Sequence, residues 1–260
     1  GDVALMVISQ GEEDFNPEDV DPIALERITK MLGLDRPLHM QYLGWLRDVV
    51  TLDWGVSFYT NKPIIDEFRD RAPVTLQLGL YTVILSVILG IPLGIMMALW
   101  QDSWSDYIGR VFSLGGLSMP NFWIATLVIA GGVYIFGWSP RITYVHPWES
   151  ITSNLSILFW PALIGGYSSL GTKARMMRST MLEVLESDYI KMVRAKGMPK
   201  RIIIWKHALK NASIPVFTLF AVNFASIVSG AVITEVIFTW PGVGSLLVEA
   251  ILSRDYAVVQ

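Results

Sequence analysis

Cysteine is absent from all 260 positions, which excludes disulfides, thiolate catalysis and Cys-ligated zinc. Charge is scarce as well: Asp, Glu, Lys and Arg make up 17% of the chain, where a soluble domain usually carries about a quarter. Histidine occurs only at His39, His146 and His207, far apart in sequence, and no H-E-x-x-H pairs two of them for metal chemistry. The G-x-x-x-x-G-K-[ST] phosphate loop is missing too, so no ATP-binding motif is present. Gly166-Tyr167-Ser168-Ser169-Leu170-Gly171 approaches a nucleophile elbow but misses the G-x-S-x-G spacing by one residue. Internal repeats, low-complexity tracts and a signal-peptide pattern are not found.

What the chain does have is apolar length. Hydrophobic residues make up 52%, the mean hydropathy is +0.46, and ten Trp, nine Tyr and eleven Phe suit interfacial anchoring in a bilayer. Four runs carry no charge: 74–100 (27 residues), 111–140 (30), 150–172 (23) and 211–234 (24). A spanning helix needs roughly 20 apolar residues, and buried helices of soluble proteins seldom exceed that length. The runs therefore predict an all-α, polytopic membrane helix bundle with spans at about 74–100, 111–137, 155–174 and 212–236. Pro92, Pro120, Pro161 and Pro215 lie in or at the ends of these spans, where bilayer helices tolerate proline. Gly90 and Gly94 form a G-x-x-x-G, which reads as close helix packing.

Charge placement sets orientation. Residues 173–210 hold ten Lys/Arg against three acids, whereas residues 1–73 hold seven basic and fourteen acidic side chains. The Lys/Arg excess predicts a cytoplasmic loop over 175–211. It puts 1–73, the loop near 141–149 and the residues after about 239 outside. A chain that starts outside is expected to follow a first span lying before residue 1. Within 1–73, Asp21-Pro22 reads as an N-cap and first helical position. Glu26 and Lys30 form an i,i+4 pair, and Gly33 is a C-terminal stop. A second amphipathic helix is expected from Pro37 to about Val50. Glu235 is the one acid near a span that stands out, either as an outer-gate group or, preferably, as an interfacial carboxylate reaching water.

The cytoplasmic loop is the most informative stretch. Ser179 to Lys196 lacks Gly and Pro and leaves one apolar and one charged face. Gly197 is a natural helix stop, and Pro199 suits the first turn of the next helix. Gly197 is expected to serve a φ above zero or a close backbone approach. A short amphipathic helix held between two spans fits a groove on a soluble partner and equally fits an anionic lipid surface.

Here the sequence resembles a known family. The stretch from Asp188-Tyr189-Ile190 through Arg194-Ala195-Lys196-Gly197, followed by His207-Ala208-Leu209-Lys210-Asn211-Ala212 and Pro215, looks like the EAA loop of ABC importer permeases, in the form of the dipeptide/oligopeptide branch. Leu34-Asp35-Arg36-Pro37 with Tyr42, Asp53-Trp54-Gly55-Val56-Ser57 and Ser118-Met119-Pro120-Asn121-Phe122-Trp123 resemble that branch. So do the blocks Glu235-Val236-Ile237-Phe238-Thr239-Trp240-Pro241-Gly242-Val243-Gly244 and Glu249 through Arg254-Asp255-Tyr256. One departure is plain: the acidic residue of the general EAA signature is missing, since Arg194 precedes Ala195.

The resemblance implies a type I importer permease fold with a small external helical segment between spans 1 and 2. Residues 1–73 would follow a missing first span, and residues 74–260 would form the permease domain with its final span missing. It implies that Ser187, Asp188, Tyr189, Ile190, Arg194, Ala195, Lys196 and Gly197 make up a coupling helix docking on a separate ATPase. Pro199, Pro215, Pro241, Gly242 and Gly244 would shape loops and turns. The chain would be a transport subunit rather than an enzyme, binding no cofactor itself, with ATP and Mg on the ATPase. Implied partners are a second homologous permease (a heterodimer), two ATPase subunits, an external solute-binding protein and the lipid bilayer of a prokaryotic plasma or inner membrane, with no nucleic acid. Di- or oligopeptides are the expected solutes, with nickel complexes or oligosaccharides as alternatives. An autonomous channel or scaffold would make no use of the docking loop, and an intramembrane enzyme would need facing polar catalytic groups, where the spans offer, apart from Glu235, only hydroxyls and scattered amides.

Overall fold

The computed structural model describes residues 5, 22–31, 33–138, 143–225 and 227–260. Gly1-Asp2, the expected Asp21 cap and part of the 141–149 loop lie outside them. Every regular element among the described residues is helical, apart from an isolated Val56–Pro63 bridge. The chain divides into two units, residues 1–72 with 246–260, and residues 73–245.

In the first unit, helix α1 (Pro22–Met31) ends as the sequence predicts. Gly33 takes φ +66°, and the Leu34 N–H closes back on the Thr29 carbonyl at 3.0 Å. The Glu26–Lys30 pair forms at 2.6 Å with both side chains exposed, so it adds little stability. Helix α2 (Leu38–Thr51) follows Pro37 and stops at Leu52, which is left-handed at φ 60°. The 52–63 loop then folds on itself through Ser57 N–H to the Lys62 carbonyl (2.9 Å). Ser57 Oγ donates to Asp255 Oδ2 at 2.5 Å, and the Tyr59 N–H reaches the same oxygen at 3.3 Å. Two blocks 198 residues apart thus meet at a buried carboxylate, next to the last helix α12 (Tyr256–Val259).

The second unit holds the long helices. Helix α3 (Ile64–Leu99), whose residues from 73 onward belong here, is long and apolar enough to cross a membrane. The uncharged run expected as one span over 111–137 is built as two helices, α4 (Trp104–Ser118) and α5 (Asn121–Phe136), bent by 110°. The reason is local. Pro120 has no N–H to donate and disfavours a helical conformation at Met119, which is extended at φ −98° and ψ 131°. Helix α6 (Ile151–Glu186) starts at Ser150, whose hydroxyl accepts the Ser153 N–H, and it continues well past residue 174. At about 1.5 Å per residue, it is far longer than the roughly 30 Å hydrocarbon core.

Helix α7 (Asp188–Ala195), α8 (Lys200–Ile202) and a π-helical turn (Ile203–Ala208) follow. The run 211–234 is covered by α9 (Leu209–Ala225) and α10 (Ile227–Ile237), and α11 (Val243–Leu252) comes after the Trp240–Gly242 turn. Pro215 lies inside α9 rather than at its start, and Thr180 Oγ1 donates to the Ala212 carbonyl in the turn before it (2.9 Å).

Two apolar clusters hold this unit. One gathers Val74 and Leu78 of α3, Ala125 of α5, Leu158 and Ala162 of α6, and Phe238 and Trp240. The other joins Ile95 and Ala98 of α3 to Met177 and Met181 of α6, Ile190 and Val193 of α7, and Ala208, Ala212 and Val216. The Gly90/Gly94 pair sits on the α3–α6 seam: a Cβ at Gly94 would meet the Ala174 carbonyl at 2.5 Å and Met177 Cβ at 2.6 Å. Gly94→Ala is therefore expected to destabilise the bundle by about 1–3 kcal/mol through overpacking, read as a lowered melting temperature in detergent. An unchanged melting temperature would show that the seam is loose.

Candidate functional site

The second unit's most distinctive feature is the elbow between α6 and α8. Ser179 to Lys196, which lacks Gly and Pro, is divided at Ser187, the residue at which the resemblance starts the coupling helix: Ser187 ends α6 and begins α7. Its backbone is extended (φ −63°, ψ 151°), and its hydroxyl donates to the Val184 carbonyl (2.7 Å) while facing the Ile190 N–H at 3.5 Å. One serine thus terminates one helix and caps the next, which turns the chain without a glycine or proline.

Helix α7 is eight residues long, too short to persist alone in water, so packing must hold it. Ile190 is fully buried and Val193 nearly so, both within the cluster built on Met177 and Met181. Ile190 is therefore an anchor rather than a surface available to a partner. Asp188, Tyr189, Lys191, Met192, Arg194, Ala195 and Lys196 face outward. Asp188 lies in the first turn and Arg194 in the last, each at the end of the helix dipole that favours its charge.

The far side of the elbow turns at Gly197, whose φ is +74°. Its N–H reaches the Arg194 carbonyl at 2.9 Å, and a Cβ placed there would meet nothing within 4 Å. Of the two reasons expected for this glycine, the left-handed backbone is the one present; crowding is not. Pro199 (φ −66°) stands one residue earlier than expected, as the N-cap of α8.

Sequence reading missed two features of the elbow. The first is the π-helical turn at Ile203–Ala208, a local widening often found at functional sites. It presents His207 so that Nδ1 lies 2.6 Å from the Tyr189 hydroxyl, pinning α7 to the helix that leads into α9. No periodicity signals a π turn. The second is a cavity of about 500 Å³ lined by Ala98 and Leu99 of α3, Leu185 of α6, Arg194 of α7, and Met198, Lys200, Ile203 and Ile204 beyond the Gly197 turn.

An ion cluster centred on one buried carboxylate joins α4 to α6. Asp106, in the first turn of α4, is 0% exposed. Arg178 of α6 donates to it twice, from Nε (2.8 Å) and a terminal nitrogen (2.9 Å). Arg110 adds bonds at 3.1 and 2.5 Å, and the Asp102 N–H donates at 3.0 Å. The Asp106/Arg110 i,i+4 spacing was visible in the sequence, but Arg178 is 72 residues away.

Glu235 requires a correction. It was expected to reach water at the interface, yet it is 0% exposed. Thr75 Oγ1 donates to it at 2.6 Å and the Ser245 N–H at 3.1 Å, while Thr75 Oγ1 accepts the Val243 N–H at 2.8 Å. The segment Trp240-Pro241-Gly242-Val243-Gly244 wraps this carboxyl: a Cβ on Gly242 would fall onto it, and one on Gly244 would lie 2.8 Å from Oε2. Both glycines are present because the turn encloses a carboxyl group at close range.

Comparison with known proteins accords with this architecture. Residues 90–260 match the family model described as the binding-protein-dependent transport system inner membrane component. The dipeptide transport system permease DppB of Alkalihalophilus pseudofirmus is 38% identical, the alignment covering 94% of this chain and 79% of the relative. The di/tripeptide permease DppB of Pseudomonas aeruginosa is 36% identical (93% and 78%), and the oligopeptide permease AppB of Bacillus subtilis 35% (90% and 75%). A helical bundle with a long apolar span, a capped elbow between helices and this match over most of its length place the chain in the family of binding-protein-dependent transport system inner membrane components.

Proposed function

We propose that this chain is the multi-pass permease subunit of an ABC importer for di- or oligopeptides, and that the 187–197 elbow docks on a separate ATPase. The observation that carries this reading is the elbow itself: a short helix with Ile190 and Val193 anchored in the bundle and Tyr189, Met192 and Arg194 presented outward. The peptide class follows from the names of the relatives. The ten Lys/Arg of residues 173–210 support a cytoplasmic position for the elbow. ATP and Mg then act on the partner subunits, and a second, non-identical permease completes the pathway with an external solute-binding protein. Glu235 keeps the 240–244 turn closed on the opposite, external side.

The test is assembly and uptake together. The complete chain, co-expressed with its cognate permease and ATPase, is expected to retain the ATPase through detergent purification. Paired Tyr189→Ala and Met192→Ala substitutions should reduce that retention about thirtyfold, since two exposed side chains worth about 1 kcal/mol each at an interface centre sum to about 2 kcal/mol. Wild-type retention in the double variant would sink the docking assignment.

A further inference from the structure

The Asp106 cluster ties together segments that the docking role alone would not require. Arg178 lies eight residues before the end of α6 at Glu186, about 12 Å along the helix, and α7 begins directly beyond. Asp106 belongs to α4, which runs antiparallel along α6. Asp106 faces Arg178, Gly171 lets the Ser113 backbone approach closely, and Gly116 lies against Tyr167, where a Cβ would be 2.8 Å from the Tyr167 carbonyl. From that far end the Tyr167 hydroxyl reaches back to the mid-helix Phe112 carbonyl at 2.7 Å. Helix α4 is thus held on α6 at both ends and in the middle. It then passes through the 110° bend into α5.

A glycine seam alone would let two helices slide. A bidentate guanidinium–carboxylate pair fixes register and angle, and the Asp106 carboxylate is fully enclosed, while Arg178 keeps 19% of its side chain exposed. The second guanidinium and the Asp102 N–H use its remaining acceptor capacity and fix the short turn between α3 and α4.

We infer that Asp106 is a positioning residue for transport: by gripping Arg178 it makes α4, and through the bend α5, follow any displacement of the α6–α7 elbow. This rests on reading α7 as the ATPase-docking segment. The broken span is then a driven element rather than a passive wall, moved by a grip on its near half. Asp106 touches neither solute nor ATPase.

The experiment uses the complete transporter, with both permeases, the ATPase subunits and the solute-binding protein, in proteoliposomes. It measures ATP hydrolysis and uptake of a labelled mixture of di- and oligopeptides. Asp106→Asn and Arg178→Lys are compared with wild type, the latter keeping the charge but losing the planar fork. Both variants are expected to assemble and hydrolyse ATP, while peptide taken up per ATP falls about fivefold or more, the range of typical coupling energies. Assembled variants with wild-type uptake per ATP overturn the inference, as does failure of both to assemble, since the cluster would then serve folding alone. A wild-type transporter that neither hydrolyses ATP nor takes up peptide overturns the docking reading and this inference with it, whereas a working wild type with unaltered variants overturns only the grip.

Discussion

Gly197→Val is expected to lower peptide uptake about tenfold or more while the chain still inserts in the membrane and binds its permease partner. The magnitude comes from the backbone. A left-handed conformation costs an L-residue roughly 1–2 kcal/mol, and β-branching makes it worse. A penalty near 1.4 kcal/mol shifts the population of the turned elbow about tenfold. Sterics do not contribute within the chain, because a Cβ at Gly197 meets nothing within 4 Å. Gly197→Asn provides the control, since asparagine tolerates the left-handed region. It is expected to keep most of the uptake in the same vesicle assay. Equal loss in both variants would point to a partner surface pressed against the glycine, and wild-type uptake in the valine variant would remove the elbow from the mechanism.

Which parts of this molecule were legible in the sequence follows from the range of the interactions involved. The Gly33 stop, the Glu26–Lys30 pair and the Gly197 turn depend on residues within about one helical turn of each other, and the run that became α3 on a continuous uncharged stretch; all four were readable. Pro120 was visible as well, but its effect was not. Whether a proline bends a span or breaks it depends on what packs around it, and here Met119 leaves the helical region entirely. The turn at Ser187 entered only through the resemblance, which starts the coupling helix there; residue patterning does not show it, because serine is an ordinary helix residue until tertiary packing of Ile190 and Val193 makes a turn there favourable. Glu235 was misjudged for a similar reason. A lone acid near a span end looks interfacial, and the Thr75 hydroxyl that shelters it lies 160 residues away. The Tyr189–His207 bond and the Asp106–Arg178 pair also cross sequence separations that local patterning cannot register.

The second large effect concerns that sheltered carboxyl. Glu235→Ala removes the carboxyl oxygens to which the Ser245 N–H and the Thr75 hydroxyl donate. Each lost hydrogen bond costs about 0.5–1.5 kcal/mol, so the turn around Trp240-Pro241-Gly242 should lose roughly 1–3 kcal/mol of local stability. Small side chains elsewhere cannot compensate, because Gly242 and Gly244 bring backbone, not side chain, against the carboxyl. Glu235→Gln preserves shape and one acceptor oxygen but aims an NH2 group at one of the two donors, so its cost should be about half that of alanine. Melting in detergent, together with protease cleavage within residues 239–245, reads both variants. The expected order is alanine worst, glutamine intermediate and wild type most resistant, with cleavage rising as the turn opens. Equal and small effects of alanine and glutamine, below about 0.5 kcal/mol as for an ordinary surface change, would mean that the carboxyl does reach water and that the turn is held by Trp240 and its apolar neighbours alone.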